Sequence, residues 1–446
     1  MIQSLFRSRL AASSFLLTLP IFQAVAQTAP VAASPSTSVD VNAPGAQPWF
    51  VGASQAITRS SNAYRTADST SDTYSTTSIF GGVDIPLGRQ RVFARGSYSL
   101  NRYFDQKELN NSSYSVGAGA DFATVMNLSG GIDIGLDQQL SAPIVSSSET
   151  AEDRRNLART QRVDGRLLWG GASVVTLEAR GGYSHISYAD EAYAGSESSR
   201  RDAGLTAYYR PGARLRIGVG VRADRTDQPV ALRDPITGTT QSNEIDGRHI
   251  DLLADYALTG ITNIGGRLSH SRQSSSNQLL QSSDFSGLTG AFNISYRATG
   301  KLSGNLSLSR DVGTAAFGQT VSVVTLPIDS GTSVTNPSAS PTTVLYENNR
   351  VTNAASLGVS YAATAKIGVS VGLRYARSTI ASTSTVQADA EYSDTSRSAS
   401  IGASYAVARL VGLGCSASYE RRSASLGSSY DYSGTSIGCN ASVRWP

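Results

Sequence analysis

The feature that most constrains this chain is a two-residue alternation of apolar and polar side chains that begins at Trp49 and runs almost to the last residue. In the stretch 213–225, Leu215, Ile217, Val219, Val221 and Ala223 fall on one face. Arg214, Arg216, Gly218, Gly220, Arg222 and Asp224 fall on the other. Successive side chains of a strand point to opposite sides, so this spacing predicts β-structure and fits no helix. Ile367, Val369, Val371, Leu373 and Tyr375 split in the same way from Gly368, Ser370, Gly372 and Arg374. About 18 such segments can be laid out, from 49–58 and 73–86 to 409–421 and 432–445. Tight connections near Gly88, Gly170-Gly171, Gly212, Gly260 and Gly300 alternate with long polar ones such as 142–157, 228–245 and 314–349. That pattern predicts an all-β fold: a transmembrane antiparallel β-barrel of about 18 strands, with short periplasmic turns and long extracellular loops.

A second regularity points to a bilayer. Phe122, Trp169, Tyr209, Tyr256, Tyr296, Tyr361 and Tyr405 each precede a tight turn on the apolar face, and Trp445 holds the equivalent place at the end of the chain. Tyr98, Tyr183, Tyr375 and Tyr419 mark the opposite ends of the strands. Aromatic rings settle at headgroup level, so these form two girdles. A soluble sandwich or propeller also alternates. It would bury its apolar face in short twisted strands, and no four-strand blade period is present.

Three segments follow. Residues 1–26 read as a secretory signal peptide: Arg7 and Arg9, an apolar run broken by Pro20, then Ala24-Val25-Ala26. Residues 27–47 read as a flexible periplasmic linker and 48–446 as the barrel. The expected location is the outer membrane of a Gram-negative bacterium. No later run approaches the roughly 18 apolar residues of a membrane helix. The net charge of +4 is small and the arginines are interleaved with acids, which disfavours a nucleic-acid partner.

A barrel of this size encloses water unless something plugs it. Its inward positions carry Arg91, Arg95, Arg162, Arg166, Arg180, Arg214, Arg216, Arg222, Arg267, Arg297 and Arg374, with Asp121, Asp133, Asp224, Asp251 and Asp255. Either these line a mildly cationic conduit, or they pair with one another across strands. Phe93 and Tyr208 also face inward, as candidate stacking platforms for sugars. The 314–349 loop folds in as a constriction, forms an extracellular flap or is mobile. His249 and Asp251 share a face and could seed a His–Asp pair, but no G-x-S-x-G, P-loop or metal-ligand cluster accompanies them. The pattern therefore predicts no enzyme, cofactor or metal. Cys415 and Cys439, both outward on the last two strands, either form a disulfide or are small lipid-facing residues.

Asp284-Phe285-Ser286-Gly287-Leu288-Thr289-Gly290, Tyr296-Arg297-Ala298-Thr299-Gly300-Lys301-Leu302 and Ser309-Arg310-Asp311 resemble the EpsL-type outer-membrane β-barrels, the putative β-barrel porin 2 family encoded with exopolysaccharide systems. The ending Val443-Arg444-Trp445-Pro446 departs from a bare terminal aromatic. The resemblance implies a porin-like channel that guides a secreted exopolysaccharide across the outer membrane, as in biofilm formation. It carries no catalytic residues. The implied partners are outer-membrane lipid and lipopolysaccharide, the polysaccharide itself, and periplasmic or inner-membrane synthesis machinery. The alternative is a general or solute-selective uptake porin.

Overall fold

The computed structural model describes residues 48–446 apart from 126, 142–154, 172, 234–238, 277–283, 326–337, 383–389, 425–430 and 446. The expected signal peptide and linker lie outside the described residues. The first strands are β1 (Trp49–Ser60), β2 (Asp72–Leu87), β3 (Gln90–Tyr103), β4 (Asn111–Ala123), β5 (Leu128–Leu140) and β6 (Leu157–Trp169). Next come β7 (Val175–Tyr188), β8 (Ser198–Tyr209), β9 (Leu215–Arg233), β10 (Thr240–Thr259), β11 (Thr262–Ser275) and β12 (Phe285–Arg297). The last are β13 (Leu302–Thr325), β14 (Ser338–Ala362), β15 (Ile367–Ser382), β16 (Ala390–Ala406), β17 (Val411–Ala424) and β18 (Tyr432–Trp445).

Each strand pairs antiparallel with the next, and β1 pairs with both β2 and β18, so the 18-stranded sheet closes on itself. Closure leaves no sheet edge, as the bilayer demands. The seam register runs from Val51 opposite Trp445 to Ser60 opposite Ser436.

The packing is inside-out. Leu205, Ile217, Val219, Leu252, Leu268, Leu288, Ile401 and Ile437 are all exposed, while the short set of buried residues is mostly polar. An apolar surface of this extent is stable only in lipid. All eight expected aromatics of one girdle are exposed, from Phe122 at 36% to Trp169 at 57%, and so are Tyr98, Tyr183, Tyr375 and Tyr419 of the other.

Local chemistry sets the turns. Gly88 and Gly170 take positive φ, of 70° and 81°. Thr299 and Thr364 each use the side-chain hydroxyl to accept the backbone N–H groups two and three residues on, at 3.0–3.1 Å.

Two expected loops are instead largely strand. β9 and β10 extend through most of 228–245, and β13 pairs with β14 from Thr314 opposite Asn349 to Thr325 opposite Ser338. These extensions stand beyond the bilayer, where no lipid imposes an apolar face, and Val- and Thr-rich sequence favours strand there.

Candidate functional site

The inward faces divide the lumen into two unlike walls. Strands β2–β11 carry the charged wall, and most of its ions pair with one another, across neighbouring strands or, for Arg162–Asp164 on β6 and Arg180–Glu178 on β7, along one strand. Arg91 donates to Asp84 at 2.8 Å, Arg216 to Asp255 at 2.8 Å, and Arg162 lies 3.1 Å from Asp164. Arg222 reaches Asp251 at 3.5 Å, and Arg180 pairs with Glu178. Arg91 also sits 3.9 Å from Asp121. Arg95 and Arg166 form no ion pair among the described residues and keep the inward parity of their strands, as does Asp133.

Several expectations need adjustment. Arg214 lies in the turn before β9 and not in the wall, and Arg297 is exposed at the periplasmic end of β12. Tyr208 is 3% exposed, covered by the Arg216 guanidinium 4.4 Å from its ring centroid, so it offers no free face for stacking. Phe93 is half-buried beneath Arg91.

His249 does not pair with Asp251. Its Nε2 lies 2.6 Å from Asp224 Oδ1 and its Nδ1 2.7 Å from Ser271 Oγ, which lies 2.6 Å from Thr289 Oγ1. All four residues are buried, and Ser271 is fully enclosed. Arg200 lies 3.4 Å from the second Asp224 oxygen. A serine with no accessible surface cannot meet a substrate, so this network ties β9, β10, β11 and β12 together. The short 3-10 helix Glu191–Ser196, in the connection between β7 and β8, lies close to β9 and β13. Arg267, on the same side, is half-buried, with its Nε enclosed.

The other wall, β13–β18 with β1, is nearly neutral between the two girdles. Its inward residues are Asn305, Ser307, Ser356, Gly358, Ser360, Ser370, Ser400, Ser404, Ser416, Ser418 and Asn440, interleaved with glycine. Four of these serines sit opposite a glycine on the adjoining strand: Gly368 opposite Ser404, Ser370 opposite Gly402, Gly372 opposite Ser400, and Ser416 opposite Gly438. A Cβ on Gly372 would stand 2.7 Å from Ser400 Oγ, and one on Gly402 2.9 Å from Ser370 Oγ. The glycines thus leave room for the hydroxyls to lie flat against the wall. Arg374 and Arg444 are the charged exceptions, and Arg374 is exposed. This pattern was present in the sequence as runs of Ser and Gly, but only strand order joins them into one surface.

Both walls meet at an ionic outer rim. Residues 61–71, between β1 and β2, lean inward. Arg65 lies 2.6 Å from Glu420 on β17, and Asn62 donates to the Ser433 carbonyl at 3.1 Å. Burial disfavours the Arg65 charge, but the Glu420 carboxylate outweighs it and holds the guanidinium above its ordinary pKa. Asp394 accepts from Arg422 at 2.6 Å and lies 3.3 Å from Arg350. On the outer surface Cys415 and Cys439 stand directly opposite and are joined as a disulfide.

A closed barrel with a lipid-compatible exterior and a polar interior is a transmembrane β-barrel of the outer-membrane kind. No protein-family model matches the chain, and no curated protein matches it. Among solved structures it is similar to OccK1 (OpdK) of Pseudomonas aeruginosa, with a TM-score of 0.45 and 11% identity over 89% of this chain and 99% of that one. It is also similar to the FrpB iron transporter of Neisseria meningitidis, with a TM-score of 0.42 and 10% identity over 86% and 63%. The siderophore receptor PirA of Acinetobacter baumannii gives a TM-score of 0.41 and 7% identity over 89% and 80%. These likenesses concern barrel shape alone.

Proposed function

We propose that the barrel is a conduit for a hydrophilic, hydroxyl-rich polymer, and that its cargo is an exopolysaccharide leaving the cell. The observation that carries this reading is the Ser/Gly/Asn wall of β13–β18. Hydroxyl and amide groups spaced along a neutral surface exchange hydrogen bonds with sugar hydroxyls one for one. None is strong enough to trap a chain in transit. The opposite wall suits the same task, because arginines tied to carboxylates present little net field to a neutral sugar. Resemblance of the Asp284–Asp311 hairpins to exopolysaccharide-associated barrels supports the direction of transport.

The test combines two measurements. In planar bilayers the purified barrel is expected to conduct small ions, and oligosaccharides of the exported polymer are expected to block that current. Gly372→Val with Gly402→Val, which pushes bulk into the neutral wall, is expected to weaken the block more than it lowers ion current. In cells, deletion is expected to remove surface polysaccharide. Unchanged surface polysaccharide together with lost uptake of small solutes would replace export with uptake.

A further inference from the structure

The outer ends of the strands carry arginine on the lipid-facing side, away from the lumen. On β15, β16 and β17, Arg377, Arg397 and Arg421 are all exposed and share the outward parity of Tyr375 and Tyr419. They stand at, or one outward step beyond, the outer aromatic girdle: Arg397 is directly opposite Tyr375, and its guanidinium lies 5.7 Å from that ring. Arg397 is also directly opposite Arg421. The same juxtaposition occurs on β10 and β11, where Arg248 faces Arg272.

Two like charges directly opposite on one sheet face repel, and such pairs are disfavoured unless something neutralises them. Where the protein supplies the neutraliser, it is visible: Arg225 is held by Asp246 at 2.9 Å and Glu244 at 3.2 Å. Arg248, Arg272, Arg397 and Arg421 have no ion pair among the described residues. The missing counter-charge must therefore come from outside the chain, at headgroup depth, on the long-loop side of the membrane.

We propose that these outward arginines bind phosphate groups of an anionic lipid of the cell-surface leaflet, with Arg377, Arg397 and Arg421 as the best-formed site. A guanidinium grips a phosphate through two parallel N–H donors, and one phosphate between opposed arginines converts their repulsion into two charge-assisted contacts. Tyr375 and Tyr419 flank the site at the depth where acyl chains give way to headgroups. A soluble polyanion is less well matched, because the patch faces the bilayer plane and not the open loops. The proposal is independent of what passes through the lumen.

The test uses the full folded barrel in neutral nanodiscs, with a diphosphorylated glycolipid (lipid A) and its dephosphorylated form as probes and native mass spectrometry as the readout. Arg377→Gln/Arg397→Gln/Arg421→Gln is expected to weaken retention of the phosphorylated form about a hundredfold, since each arginine near an anionic surface contributes about fivefold. Arg397→Lys/Arg421→Lys keeps the charge and loses the fork, so it is expected to fall between the two. Heat-modifiable gel mobility checks that each variant is folded. Equal retention by wild type and the triple variant would overturn the proposal. So would equal retention of the dephosphorylated lipid, or displacement by inorganic phosphate or an acidic polysaccharide at the lipid's own concentration.

Discussion

Replacing His249 with alanine removes the bridge between Asp224 and Ser271, and with it the only side-chain link from β9 to the Ser271–Thr289 pair among the described residues. Asp224 keeps Arg200 at 3.4 Å, so its charge is not stranded, but Ser271 loses a partner while fully enclosed. Ser271 keeps Thr289, so the cost is that of two lost hydrogen bonds, one of them to a buried carboxylate, about 1–3 kcal/mol. His249→Ala is therefore expected to lower the unfolding free energy, read from urea titration, by that amount without changing single-channel conductance. A conductance change instead would place His249 on the permeation path. The partner of His249 was not legible in the sequence for a geometric reason. Asp251 is two residues along the same strand, roughly 6.5 Å away and parallel to the imidazole. Asp224 is on β9, brought alongside by a register in which Asp224 faces Gly247 and Arg222 faces His249. A Cβ on Gly247 would come within 2.5 Å of Asp224 Oδ1, so the glycine makes room for that carboxylate.

At the scale of elements, the hairpin β17–β18 is fixed twice over. Its ladder runs from Val411 opposite Val443 to Arg422 opposite Tyr432, and the Cys415–Cys439 bond crosses it on the lipid side. The bond closes a loop of sequence separation 24, which restricts the unfolded chain by about 3 kcal/mol. Because the ladder alone sets the register, Cys415→Ser/Cys439→Ser is expected to assemble with normal heat-modifiable mobility. Its stability should fall by no more than about 3 kcal/mol, read from the urea midpoint. Failure to assemble would mean the bond directs strand pairing. The membrane-spanning part of every strand was readable because lipid on one side and water on the other impose strict alternation. β9 stayed legible through Asp224 and then lost its pattern across Thr226–Arg233, where no lipid imposes an apolar face. The same physics hid the outer halves of β13 and β14.

For the whole molecule, the question is what field the lumen presents to a moving ion. The formal charge of the chain is only +4, and pairing removes most of the local field along β6–β10. The accessible charges that remain inward and without an ion pair among the described residues include the cations Arg95 and Arg374, which stand on the two unlike walls, and the anion Asp133. Exposed cations on the lumen wall bias conduction without blocking it, and salt screens them over about 8–10 Å at 0.10–0.15 M. The barrel is therefore expected to prefer anions modestly in planar bilayers at low salt and to lose that preference near 1 M. Arg95→Glu/Arg374→Glu leaves every paired charge in place and exchanges two cations for two anions. The reversal potential under a salt gradient should then cross to the cation side, with conductance changed less than twofold by the altered local ion concentration. If the double variant keeps the wild-type reversal potential, ions do not pass between the two walls, and the neutral Ser/Gly surface is not the lane.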